Sequence, residues 1–86
     1  MKRNGVEIEL TKKEFDIIEL LATNTGQVFS KEQIFGKIWG YDSDSYVTTV
    51  TEHIKRIRAK FMAHAQSFDC IKTVWGIGYK WEFLHT

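Results

Sequence analysis

The run from Val47 to Phe61, V-T-T-V-T-E-H-I-K-R-I-R-A-K-F, does most to limit the folds open to this chain. Val47, Val50, Ile54, Ile57 and Phe61 are spaced three, four, three and four residues apart. At 3.6 residues per turn that spacing draws one continuous apolar stripe, so a helix over about 46–62 must set this stripe against a core. The opposite side carries Thr48, Thr49, Glu52, Lys55, Arg56, Ala59 and Lys60, with His53 and Arg58 at the borders of the stripe. Four cationic residues against one Glu give this segment +3, while the whole chain is only +1. Positive charge is therefore concentrated on one helix face. Such a face suits a helix that is merely solvated as well as one that meets an anionic partner, and the remaining segments decide between them.

With 86 residues, 43% of them hydrophobic and 14% aromatic, the chain can build one modest core, so 1–86 is expected to be a single domain. One cysteine, Cys70, cannot form an internal disulfide, and its apolar surroundings suit a small packed side chain better than a reactive thiol. The sequence has neither a signal-peptide pattern nor an apolar run long enough to span a bilayer, which predicts a cytoplasmic location. His53, His64 and His85 lack ligand-like spacing to cysteine or carboxylate. No catalytic group, metal or cofactor is therefore expected.

In chain order, Asn4-Gly5 is a turn dipeptide, and Val6, Ile8 and Leu10 alternate with Glu7 and Glu9 as in a half-buried strand. Only Lys2 and Arg3 precede the turn, so this strand reads as the last of a sheet whose earlier strands are missing. Thr11 as N-cap, Glu14 closing a capping box and Leu10 stapled on Phe15 begin a helix that buries Phe15, Ile18, Leu21 and Ala22, widened by Ile17 and Leu20. It ends near Asn24-Thr25-Gly26. Ser30, Gln33 and the pair Phe29 and Ile34 repeat the start signal for a second helix, which turns Ile34, Phe35, Ile38 and Trp39 inward and stops at Gly40. The stretch 41–46 is a polar loop, with Asp44 or Ser45 placed to cap the third helix. Beyond Phe61 and a segment without clear period, Cys70 to Trp75 and Tyr79 to Phe83 form a hairpin around Gly76-Ile77-Gly78, a wing over about 70–83.

Three helices followed by a hairpin, with the basic helix third, give an α+β winged helix-turn-helix with a short, truncated N-terminal β-segment. An α-helix fits the major groove of duplex DNA, where lysine and arginine reach phosphates and guanine edges. The wing would lie on the adjacent backbone or minor groove. Its glycines allow close approach to a phosphate, and they equally suit a plain turn.

The motifs L-T-x-x-E-F (Leu10 to Phe15), V-F-S-K-E-Q-I (Val28 to Ile34), I-W-G (Ile38 to Gly40), T-V-x-x-H-I-x-R-I-R (Thr49 to Arg58) and I-K-T-V-W-G-I-G-Y (Ile71 to Tyr79) span nearly the whole chain in order. On these residues the sequence resembles the OmpR/PhoB-type winged-helix effector domain of bacterial two-component response regulators. It implies a sequence-specific DNA-binding transcription regulator that pairs head to tail on direct repeats and ordinarily follows a receiver domain. With no receiver here, the chain would be an excised domain or a standalone regulator, and the truncated sheet points to excision.

Carried over by residue, the resemblance implies a phosphate contact for Thr49, with Glu52, Lys55 and Arg56 facing the major groove and Arg58 reaching phosphate or base. Thr73 and Tyr79 would touch phosphate, with Trp39 near the backbone. Thr48 stands where many members carry arginine, and Thr48, His53 and Lys60 complete the expected DNA-facing set. Thr51 and Glu52 also depart from the family pattern, and Glu52 can accept from cytosine N4. Trp75 takes a wing position that is arginine in some members, where it can pack or press on sugar. The loop 41–46 corresponds to a segment that meets RNA polymerase in some members, and it reads equally as a solvated connector. The competing function is a winged-helix module that binds protein without specific DNA binding, which leaves the basic third helix unexplained.

Overall fold

Two capping boxes of the same construction start the first two helices. The Thr11 hydroxyl accepts from the Glu14 N–H at 3.2 Å while the Glu14 carboxylate accepts from the Thr11 N–H at 2.8 Å. Ser30 and Gln33 repeat the exchange at 3.1 and 2.8 Å. Each box satisfies two backbone donors that a helix otherwise leaves open, and so fixes where α1 (Lys12–Ala22) and α2 (Lys31–Ile38) begin. Gly40, at φ +81°, follows α2 in the left-handed conformation expected after a helix end.

The structure, a computed structural model, describes residues 2–3, 6–40, 44–64 and 70–82. Ahead of α1, β1 (Lys2–Arg3) and β2 (Val6–Glu7) pair antiparallel. The expected strand Val6 to Leu10 is thus shorter, and its neighbour is the Lys2–Arg3 pair. Ile8, the next residue, is buried in the core. The Asn4-Gly5 turn lies outside the described residues, as do His85, Phe83 and the first half of the 41–46 loop.

The third helix, α3 (Thr48–His64), starts two residues later than its pattern suggested and runs two further. Its first turn is tight, with the Thr49 N–H donating to the Tyr46 carbonyl and Val50 to Val47. Val50, Ile54, Ile57 and Phe61 are buried as the stripe requires, and Val47 is half-buried. They meet Ile17, Ile18 and Leu21 of α1 and Ile34 of α2.

One expectation about α1 fails. Phe15 is 46% exposed, while Glu14 is buried with Ile17, Ile18 and Leu21. Those four follow the i, i+3, i+4, i+7 spacing of a helix face, and Phe15 lies one position, about 100°, outside it. The capping box and a cation from α3 draw Glu14 inward and set that rotation. The second staple, Phe29 with Ile34, has both residues buried.

The wing is an antiparallel pair, β3 (Ile71–Val74) and β4 (Gly78–Trp81), joined by a turn in which the Ile77 N–H donates to the Val74 carbonyl at 2.9 Å. Tyr79 and Trp81 point into the core and Glu82 to solvent. Phe29 adds a single bridge to the outer side of Tyr79, with reciprocal bonds of 2.8 and 2.9 Å. Gly78 makes this bridge possible. A Cβ there would stand 2.0 Å from the Phe29 carbonyl oxygen. Gly76, at φ +79° with open space around it, is the turn former.

Candidate nucleic-acid interface

Rotation about α3 sorts its polar residues, Lys60 aside, into three groups. Thr48, Thr51, Glu52, Lys55 and Arg56 are exposed, and among the described residues none of the three charged ones has an ion partner. Such groups are free to exchange water for a ligand. They form a continuous strip along the outer side of the helix.

The second group joins α3 to α2. The His53 ring meets Trp39 edge to face, with centroids 4.9 Å apart, and its Nδ1 lies 2.8 Å from the Thr49 carbonyl and 3.3 Å from the Thr49 hydroxyl. Trp39 also stacks on Phe35 at 5.6 Å. Lys13 covers the indole at 5.4 Å and donates to the Ile38 carbonyl at 2.8 Å. Trp39, Thr49 and His53, separate candidates in sequence, are therefore one half-buried cluster at the edge of the strip. Lys13 belongs to this cluster and no pattern in the sequence marks it, because its partners lie on another helix.

The third group joins α3 to the wing. Arg58 Nη2 donates to the Ile71 carbonyl at 2.8 Å and to the Thr73 hydroxyl at 3.0 Å, and the guanidinium lies 5.8 Å from the centre of the Tyr79 ring. Tyr79 is 6% exposed, so it serves Arg58 mainly as a platform. Lys31, Thr48, Thr51, Arg58, Thr73 and Gly76 line a groove between the starts of α2 and α3 and the wing. Lys31 was not among the candidates from sequence, although its place directly after an N-cap marks it as exposed near a helix start. At the tip Trp75 is 89% exposed, with Ile77 beside it also in solvent.

Lys60 departs from the expected set. Its ammonium lies 2.5 Å from the Glu14 carboxylate on α1 instead of facing outward. Its position is one residue before the buried Phe61, close enough to the stripe for a long side chain to fold back. Burial pushes the Glu14 carboxyl up. The Lys60 ammonium and the Thr11 donors outweigh that and hold it below its ordinary value.

Known proteins place this geometry. The family model described as "Transcriptional regulatory protein, C terminal" matches residues 5–81. The transcriptional regulatory protein SpaR of Bacillus subtilis is 47% identical over 79 residues, which cover 92% of this chain and 35% of SpaR. The chain thus spans about a third of the length of such relatives. Among solved structures, the DNA-binding domain of Bacillus subtilis CssR superposes with a TM-score of 0.78 at 33% identity, covering 92% of this chain and 84% of that one. The DNA-binding domain of Klebsiella pneumoniae RstA, solved in complex with the RstA box, gives 0.74 at 29% identity, covering 91% and 77%. Matched over most of its length in both sequence and fold, the chain belongs to the OmpR/PhoB-type winged-helix family of C-terminal transcriptional regulatory domains.

Proposed function

We propose that this domain binds double-stranded DNA with sequence preference and acts in transcription regulation, with α3 in the major groove and the wing on the adjacent backbone or minor groove. The observation that carries the proposal is the exposed strip Thr48, Thr51, Glu52, Lys55 and Arg56 beside a groove that opens toward the wing. A helix presenting free hydroxyls, an acceptor and two cations can address both phosphates and base edges. Lys55 and Arg56 face the bases, and Glu52 discriminates by accepting from a cytosine amino group. Thr48, Thr49, His53 and Trp39 border the strip where one phosphate strand would pass. Thr73, Tyr79 and Arg58 border the other side of the groove.

The fold likeness to a domain solved on its DNA box supports this placement. The family resemblance further suggests direct-repeat sites, a partnering receiver domain and a contact between the 41–46 loop and RNA polymerase. Among the described residues no helix is long and apolar enough to cross a membrane.

Titration of a labelled duplex at several salt concentrations tests the proposal. Affinity should fall steeply as salt rises, because bound phosphates release their counterions. Salt-insensitive association with protein, and none with duplex, would replace it with a protein-interaction module.

A further inference from the structure

Building on the DNA-binding reading above, we infer that Arg58 is a positioning residue that sets the wing at a fixed offset from α3 instead of reading bases. Its Nη2 bonds to two acceptors on one strand, the Ile71 carbonyl and the Thr73 hydroxyl, while its guanidinium lies over the Tyr79 ring on the other. One helix side chain therefore engages both strands of the hairpin. Among the described residues, backbone bonds from the hairpin to the body include those from Gly26 to Trp81 and between Phe29 and Tyr79. They hold β4 against the segment before α2. Arg58 carries hydrogen bonds across the remaining gap, between α3 and β3.

A sugar-phosphate strand would pass along the groove beside this bridge, lined by Thr48, Thr51, Arg58, Thr73 and Gly76, with the helix on one side and the wing on the other. With the offset fixed beforehand, both contacts form together and little ordering is left for the binding step. A planar guanidinium suits the task because it meets two acceptors in a set geometry and stacks on an aromatic ring. An ammonium does neither as well.

The test uses the 86-residue chain and a duplex that the unsubstituted chain has selected, with affinity followed by anisotropy and contacts mapped by phosphate-ethylation interference. Arg58→Ala is expected to weaken binding about tenfold, with interference fading on the wing side and persisting beside Thr48 to Arg56. Arg58→Lys, which keeps the charge and loses the fork, should resemble Arg58→Ala. Thr73→Val should weaken binding in the native background and add nothing to Arg58→Ala, because its effect passes through Arg58. Should Arg58→Ala melt out, Arg58→Lys takes its place, and Thr73→Val should likewise add nothing to it. Full recovery with lysine, an additive loss from Thr73→Val, or interference lost only under the helix would make Arg58 a direct contact and overturn the proposal. Absence of any selected duplex would instead overturn the DNA-binding reading on which it stands.

Discussion

Lys60 Nζ lies 2.5 Å from Oε1 of Glu14, so the last turns of α3 are pinned to a carboxylate that is 1% exposed on α1. The pair takes one cation out of the outward-facing set and makes it part of the frame that holds α3 in place. Glu14 also closes the capping box with Thr11. One buried carboxylate thus ties the start of α1 to the end of α3.

Lys60→Met should therefore lower stability by roughly 1–3 kcal/mol, because it leaves a buried anion without its cation. The loss stays below that of a fully buried pair, since the Lys60 side chain keeps 36% of its surface in water. Urea unfolding measures it. The preferred DNA sequence should not change, and an altered preference with unchanged stability would return Lys60 to the binding face.

Acid should release the same tie. Burial raises the Glu14 carboxyl, yet the Lys60 ammonium and the Thr11 donors prevail and lower it from an ordinary value of 4.5. A depressed folded-state value means that the folded state favours the ionised form. The resulting stability is fully present above about pH 4.5 and is lost as pH falls through the lower folded value. Thermal melts from pH 7 downward should show a shallower acid decline for Glu14→Gln than for the native chain. Parallel declines would remove Glu14 from the account of acid sensitivity.

The two wing glycines should respond differently to alanine. At Gly78 a Cβ would meet the Phe29 carbonyl oxygen at 2.0 Å and the Ser30 Cα at 2.8 Å, so the bridge must open, at about 3 kcal/mol or more. Gly76→Ala meets no atom within 4 Å and bears only the strain of its +79° φ, about 1–2 kcal/mol. Melting temperatures of the two variants test this ranking, and a larger loss at Gly76 would contradict it.

Ile54 and Arg56 are two positions apart on α3 and should separate stability from binding. Ile54→Ala should cost roughly 2–5 kcal/mol of stability by opening a core cavity. Arg56→Ala should leave stability within about 0.5 kcal/mol and cost roughly 1–3 kcal/mol of specific binding. An equal loss on random duplex would show that Arg56 touches phosphate alone.

Local chemistry made much of this fold legible. Both capping boxes, the stop at Gly40 and the hairpin turn are set by residues within three or four positions of one another. The stripe on α3 is likewise a property of one segment. Phe15 escaped because helix periodicity defines a face only to within about one residue, and the burial of Glu14 that settled it depends on Lys60, 46 residues away. For the same reason the exposed strip Glu52, Lys55 and Arg56 could be read directly, whereas the inward turn of Lys60 and the bonds from Arg58 to β3 could not. A long cation near the edge of an apolar stripe has two directions open to it, and a partner on another element chooses between them.

The proposed mode of binding has α3 reading base edges in the major groove while the wing docks beside it. Selection from a random duplex library at low and near-physiological salt, with sequencing of what is retained, tests it most directly. Binding in this mode should enrich a short direct repeat with a spacing of about one helical turn, persisting at the higher salt. Retention without any enriched sequence, vanishing as salt rises, would contradict it and leave only nonspecific attraction to phosphate.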